Sequence, residues 1–522
     1  MVEQAMSRLA LAYTLALLIA MRQVFVTFSV ASFPPRETSI AGAVAANAPF
    51  VTVQEYHYHY NYNNNNNNNN HNKDGDTSSD EEKRKSSSST TSSTTTTSEV
   101  SSSSVSVRNT GNSNSNSDCF STSNPKPIIL VTGVAGYIGS HTSMILLEQG
   151  YCILGIDNLS RGSLKALDFL RTTYKTQFQF ELVDLSDTSA VDTIFTNYPT
   201  IYKVLHLAAF AFVRESLEYP NLYYENNSRN TNNLVDSMIQ HKIPSLVFAS
   251  TCTVYGQPSH LPITEIETKT TPRNAYGLSK LQSEQHILQR IKELNEKNSK
   301  NNTTLTHGSI RGSSGGAKQE EEKPYVLNAR MFRYFNAVGA DPKGRLGENP
   351  RPELLKYGRI WTTILSVLRG DTKCVRANDG GKDERDYIHV LDIANANMLA
   401  LQHTEHIDYA NVSTGFIWNV ATNKPISTME YIKVAQDVTG LHVPICEAQA
   451  NTAFIEKAVT LHASASLLEQ ATGWKPKYTN LHDILSTAWE YSKEEVLLAR
   501  SSNKSKSISS LAFNNTTTTA TS

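Results

Sequence analysis

Ile128-Ile129-Leu130-Val131-Thr132-Gly133-Val134-Ala135-Gly136-Tyr137-Ile138-Gly139 is the stretch from which the fold can be read. A short apolar, β-rich run ends in a glycine loop, and the loop opens a helical pattern from Ser140 to Gln149 that Gly150 ends. Tyr151 to Ile156 reads as the next strand, with Asp157 at its tip. Strand, glycine loop, helix, strand and acid within about 30 residues is the context a dinucleotide fingerprint requires. Gly133 allows the tight turn and Gly136 allows backbone to approach a pyrophosphate, which the helix N-terminus then faces. Asp157 can accept hydrogen bonds from an adenosine ribose and would repel a 2′-phosphate, so the cofactor expected is NAD rather than NADP.

Moving outward, the alternation continues. Phe178 to Val183 reads as a strand that ends at Asp184, a candidate for the adenine edge, and Val191 to Thr196 reads as helix. Val204 to Ala209 is a strand whose small Ala208 and Ala209 let backbone approach a cofactor. A polar helix over Leu222 to Gln240 leads to the strand Ser245 to Ser250. Repeated βα units of this kind predict an α/β fold, a Rossmann-type doubly wound parallel sheet with its site at the carboxyl ends of the strands. Thr251 stands at such an end. Beyond it lies Asn274-Ala275-Tyr276-Gly277-Leu278-Ser279-Lys280, which puts Tyr276 and Lys280 one helical turn apart on one face. A nearby ammonium lowers a phenol's pKa and fits it to move a proton. A chain with 23 tyrosines carries on the order of one Tyr-x-x-x-Lys by chance, so the pair draws its meaning from the strand end and glycine loop around it.

The rest of the 522 residues divides by composition. The net charge of −1 gives no argument for a nucleic-acid partner. Residues 36–125 are a low-complexity segment, with an asparagine tract at Asn63 to Asn70 and a Ser/Thr run to Ser104, and cannot bury a core. His57, His59 and His71 in it have no acid or cysteine framework, so no metal site is expected. Ahead of it, residues 1–35 hold the apolar run Leu9 to Met21, flanked by Arg8 and Arg22. Three readings fit: a signal peptide, a signal anchor that tolerates Arg22, or a transit sequence. All three favour the secretory route or an organelle over the cytoplasm. The five cysteines, Cys119, Cys152, Cys252, Cys374 and Cys446, form no CxxC pair, and their odd number argues against a disulfide framework. The folded part is expected to begin near Pro127, as a cofactor domain over 126–335 with a disordered insertion at 294–323. A smaller C-terminal α/β substrate lobe over 336–495 interleaves with it, and a disordered tail fills 496–522.

Beyond these local readings, the chain resembles the extended short-chain dehydrogenase/reductases, and within them the UDP-glucose 4-epimerase family. The match includes Asp157-Asn158-Leu159-Ser160-Arg161-Gly162, Ala249-Ser250-Thr251-Cys252, Pro262-Ile263-Thr264-Glu265, Arg333-Tyr334-Phe335-Asn336 and Arg385-Asp386-Tyr387-Ile388-His389-Val390. Gly344 to Leu354, with Tyr357-Gly358-Arg359-Ile360, is similar to the plant-type UDP-arabinose 4-epimerases, which an N-terminal membrane segment ties to the Golgi.

This resemblance implies NAD-dependent epimerisation at C4 of a UDP-sugar through a 4-keto intermediate. UDP-glucose/UDP-galactose and UDP-xylose/UDP-arabinose are the expected pairs, and a homodimer is one expected assembly. It further implies that Gly133, Gly136, Tyr137, Ile138 and Gly139 cradle NAD, with Asp157 and Asn158 on the ribose and Asp184 and Leu185 at the adenine. Asn227 would lie near the pyrophosphate or nicotinamide. Tyr276 would be the base and later the acid, Thr251 its partner at the sugar oxygen, and Lys280 the residue on the nicotinamide ribose. Asn336 would meet the UDP-sugar and Arg385 its diphosphate. Dehydratases and decarboxylases of the superfamily carry acids after the Thr251 position, where this chain has Cys252 and Thr253. The alternatives are another NAD-linked nucleotide-sugar enzyme, or a non-catalytic NAD-binding member. The second is motivated by Asn451 to Ile455, which lacks the family's arginine.

Overall fold

The computed structural model describes residues 118–307, 324–404, 412–447 and 459–516. The readings of 1–35 as a leader and 36–117 as low complexity lie outside these residues, as do the rest of the insertion, the Asn451–Ile455 segment and the last residues of the tail.

Seven parallel strands form the main sheet. They are β1 (Ile128–Thr132), β2 (Cys152–Asp157), β3 (Phe178–Leu182), β4 (Ile201–His206), β5 (Ser245–Thr251), β6 (Asn328–Tyr334) and β10 (Thr414–Val420). Their spatial order is β10-β6-β5-β4-β1-β2-β3, so the chain adds strands outward on one side of β1 up to β3 and then crosses to the other side at β4. That crossing opens a crevice over the strand ends, where ligands of doubly wound sheets bind. Both faces are covered, as parallel sheets require. Alternate residues of β1 go to opposite cores. Ile129 and Val131 pack in the core that includes Leu146 and Leu147 of α1 (Tyr137–Glu148) and Ile393 and Ala396 of α7 (Val390–His403). Ile128 and Leu130 pack instead with Leu234 and Met238 of α4 (Asn230–Gln240) and Ile287 of α5 (Ala275–His307). On the flanks, Ser163 caps α2 (Leu164–Thr173) and Asp187 caps α3 (Thr188–Asn197).

A second lobe is built from α6 (Ile360–Arg369), α8 (Thr428–Thr439) and α10 (Leu481–Thr516) around Trp361, Leu365, Tyr431, Ile432 and Leu485. Short strands join it. Strands β7 (Asn336–Val338), β9 (Glu384–His389), β11 (Pro425–Ser427) and β13 (Thr460–Leu461) form one sheet, and β8 (Val375–Ala377) pairs with β12 (Ile445–Glu447).

Four expectations are corrected. First, the tail is helical to Thr516. Val496 is buried in the second core, and Arg500 and Asn503 donate to the carbonyls of Leu368 and Arg369, which the end of α6 leaves open. Second, the insertion begins as helix, because α5 runs on to His307. Asn295 exchanges hydrogen bonds with the backbone of Ser413 (3.0 and 2.7 Å), and Asn298 donates to the Tyr325 carbonyl (3.0 Å). Third, order begins by Asp118 rather than Pro127, with Cys119 buried and its amide bonded to the Thr176 carbonyl. Fourth, the odd cysteine count conceals two disulfides, Cys119–Cys152 and Cys374–Cys446, with Cα–Cα separations of 5.7 and 5.6 Å, and Cys252 free.

Candidate active site

A single cavity over the ends of β1, β2 and β4 is lined by Gly133, Gly136, Tyr137, Ile138, Gly139, Asp157, Asn158, Leu185, Ala208 and Ala209. The glycines are required by space. Gly133 has φ +70°, and a Cβ there would lie 2.6 Å from the Ala208 nitrogen. At Gly139 a Cβ would fall 2.1 Å from the Gly133 carbonyl. No side chain caps α1, whereas α2 and α3 are capped, so its N-terminus is left to face the cavity. Asp157 accepts from the Ala135 and Leu159 amides (3.1 and 2.8 Å), and burial raises its pKa despite these bonds. Asn158 donates to Asp184 (2.9 Å), which stands beside the cavity. Burial raises the Asp184 carboxyl, but bonds from Ser186 and Asn158 outweigh it and hold the group below its ordinary range. Asn227 lies between Asn226 and Asn230, which line the cavity. It is fully buried in a π-helical turn, Tyr224–Arg229, that interrupts the helix expected over Leu222 to Gln240. Its amide clamps both backbone groups of Phe210 (2.8 and 3.0 Å) and bonds Ser279 on α5 (3.2 Å), tying the Ala208–Ala209 loop to the catalytic helix.

Thr251, Tyr276 and Lys280 come together. Asn274 caps the first turn of α5 through the Gly277 amide (2.8 Å), and Gly277 lets the helix close on β5, since a Cβ there would meet the Thr253 carbonyl at 2.7 Å. The Thr251 hydroxyl lies close enough to the Tyr276 phenol to lower its pKa, and it accepts from the Thr253 amide (3.2 Å). Lys280 is 1% exposed, its Nζ lacks a hydrogen-bond partner, and it lies 4.5 Å from the Phe248 ring centre. Burial pushes Lys280 down to about 7, and Glu284 opposes that shift.

The electrostatics differ from the sequence expectation. Burial raises the Tyr276 phenol above its ordinary value, while the Thr251 hydroxyl and the Arg359 guanidinium pull it down; Lys280 is not among the groups acting on it.

On the substrate side, Asn336 and Arg385 lie on the paired strands β7 and β9. Asn336 is half-buried, and Arg385 donates to the carbonyls of Glu384 and Val459. Several functional side chains were not foreseen. Glu284, one turn after Lys280, accepts two bonds from Arg333 (3.0 and 2.6 Å) and one from Ser250; the Tyr-x-x-x-Lys-x-x-x-Glu spacing is a signal that could have revealed it. Arg161 forks onto Glu215 (2.6 and 2.8 Å) and lies 3.7 Å over Phe210. Across the cavity runs the segment 344–359, which contributes Gly347, Glu348, Asn349, Pro350, Leu354 and Arg359. It is tied down by Arg351 to the Leu159 carbonyl, Tyr357 to Glu218 (2.6 Å) and Arg345 to Asp341 and Glu148.

These residues fit NAD. The uncapped α1, the glycine cradle that a Cβ would fill, and the orphaned Lys280 ammonium are the features a dinucleotide would satisfy. Family models agree: the one described as GDP-mannose 4,6 dehydratase matches residues 130–318, and that of the NAD dependent epimerase/dehydratase family matches 316–421. The chain is 34% identical to UDP-arabinose 4-epimerase 1 of Arabidopsis thaliana, over 70% of this chain and 79% of that protein. It is 35% identical to a UDP-glucose 4-epimerase of Halalkalibacterium halodurans, over 72% and 99%. The UDP-glucose 4-epimerase of Bifidobacterium longum, solved with NAD+ and UDP, superposes with a TM-score of 0.57 at 28% identity, covering 70% of this chain and 98% of that one. The glycine cradle, the Thr251–Tyr276–Lys280 cluster and this breadth of match place the chain in the NAD-dependent epimerase/dehydratase family, among its UDP-sugar 4-epimerases.

Proposed function

We propose that the chain interconverts UDP-sugars that differ in configuration at C4, with UDP-glucose/UDP-galactose and UDP-xylose/UDP-arabinose as its candidate pairs. One observation carries this reading: the Tyr276 phenol lies close enough to the Thr251 hydroxyl at the end of β5 to be lowered by it, with the buried, unpartnered Lys280 ammonium one turn behind it. Tyr276 takes the proton from the sugar O4 and later returns it, and Thr251 holds that oxygen in line. The chemistry supplied by bound NAD is a hydride sink and source at C4. Lys280 finds in the nicotinamide ribose the acceptors that the protein does not give it. Asn336, paired with Tyr387 across the β7–β9 register, and Arg385, two residues earlier on β9, meet the UDP moiety. Loss of a C6 hydroxyl or carboxylate would need an acid beside Thr251. The groups there are Thr253 and Cys252, whose thiol burial pushes up to about 12, so the two positions after Thr251 offer no carboxylic acid to protonate a leaving group.

The same reading extends to location. The apolar run of residues 1–35 directs the chain into the secretory route. Two disulfides support this, since such bonds persist in oxidising compartments. Among the described residues no helix is long and apolar enough to cross a membrane.

Purified chain is to be incubated with UDP-galactose and with UDP-xylose, and the products resolved by chromatography. Formation of UDP-glucose or UDP-arabinose is expected; NAD-loaded protein that converts neither sinks the epimerase reading.

A further inference from the structure

The segment Gly344 to Arg359 marked the chain's particular resemblance, but no chemical role was assigned to it. In the structure it forms one wall of the dinucleotide cavity. The charged side chains on that cavity's lining are Asp157, Glu348, Arg161 and Arg359. A pyrophosphate brings two negative charges to a wall that already holds two carboxylates, so the state of the two guanidinium groups decides whether it is welcome. Arg161 is committed: both its Nη groups bond the two oxygens of Glu215, and its plane rests on Phe210. Arg359 is not. It makes one hydrogen bond, from Nη1 to Glu348, its guanidinium lies 5.8 Å from the Phe212 ring centre, and its side chain, which lines the cavity, is about one-third exposed, 34%. A guanidinium has five N–H donors, so most of those on Arg359 remain for a ligand. Its field reaches both Tyr137, at the start of α1, and Tyr276, which sets it between the phosphate cradle and the base.

We propose that Arg359 is a diphosphate-binding residue, carried into the cavity by the 344–359 segment, whose spare guanidinium donors take the pyrophosphate of the bound dinucleotide. Planar, paired donors match phosphate oxygens in a way an ammonium cannot. The segment is tied to both edges of the cavity, at Leu159 and at Glu218. It therefore acts as a clasp on NAD as well as a wall. The same chemistry would suit the diphosphate of the UDP-sugar, and the two sources are separable. The first rests on NAD binding and the second on the substrate reading proposed above.

The test uses full-length protein and three variants: Arg359→Gln, Glu348→Gln and the double variant. NAD retained per chain after exhaustive dialysis and acid release is measured, with UDP affinity by titration calorimetry and the melting temperature of each. Arg359→Gln is expected to lose roughly tenfold or more in NAD affinity, the worth of a charge-assisted contact. Glu348→Gln, which frees the arginine, is expected to keep its NAD, and the double variant to be as poor as Arg359→Gln. If Arg359→Gln holds NAD like the parent but weakens UDP about tenfold, the diphosphate bound is that of the sugar nucleotide. Three results overturn the proposal. One is unchanged binding of both ligands. Another is recovery of NAD in the double variant, which would mean that an unpaired Glu348 had repelled it. The third is equal NAD loss in Glu348→Gln, which would make the pair a structural clip. Should Arg359→Gln not fold, Arg359→Lys replaces it. Retention intermediate between parent and apo-protein is then expected, and full retention would count against a fork-like contact.

Discussion

Lys280→Met should stabilise the protein and abolish its chemistry together. The ammonium is 1% exposed and without a hydrogen-bond partner, so the folded state holds a desolvated cation. Its pKa is pushed down to about 7 from an ordinary 10.5. The folded value lies below the unfolded one, so between these pH values the unfolded chain binds the extra proton and stability rises with pH. Below pH 7 the whole penalty is present, and above 10.5 it is gone. At pH 7 it amounts to about 4 kcal/mol, as an order of magnitude. Methionine has similar length and reach over Phe248 but no charge to desolvate. Urea unfolding of nucleotide-stripped protein should therefore show Lys280→Met more stable at pH 7, by up to about 4 kcal/mol. The gap should close steadily toward pH 10, and epimerase turnover should be lost. A variant less stable than the parent at pH 7, or a gap that ignores pH, would refute the reasoning, because it would mean that Glu284 fully compensates the buried charge.

Three further outcomes follow from the same geometry. Tyr276→Phe removes the phenol beside Thr251, so kcat should fall by roughly 10²–10⁴ at unchanged melting temperature; unaltered turnover would mean another group moves the proton. Glu284→Gln leaves the buried Arg333 guanidinium short of its carboxylate, which should cost about 3–5 kcal/mol in urea unfolding, and a loss below about 1 kcal/mol, typical of an exposed pair, would contradict the burial. Thiol titration of denatured, unreduced protein should find Cys252 alone reactive, and Cys374→Ser with Cys446→Ser should destabilise by roughly 4 kcal/mol for a bridge spanning 72 residues; five reactive thiols would exclude both bridges and the oxidising-compartment reading with them.

What could be read from the sequence was what is local. A strand feeding a glycine loop and a helix is one continuous stretch, so Gly133, Gly139 and Asp157 disclose the crevice without help from the rest of the chain. Tyr276 and Lys280 share a face because they are four apart, and Asn274 announces the helix start. The parts that stayed hidden depend on neighbours far along the chain. Asn295, Asn298 and Asn503 look like loop residues until the carbonyls of Tyr325, Ser413 and Arg369 are beside them. Cysteine parity says nothing about which Cα atoms come within about 6 Å. Above all, the charge state of the catalytic pair is a property of burial. The i, i+4 spacing suggested that Lys280 tunes Tyr276, yet the interior that brings them together strips water from both, raising the phenol and lowering the ammonium. The guanidinium that does act on Tyr276 arrives with the 344–359 segment, from the other side of the cavity. The guanidinium whose charge opposes that rise and the lysine spaced to do so are therefore different residues, and only the tertiary path of the chain across the crevice could separate them.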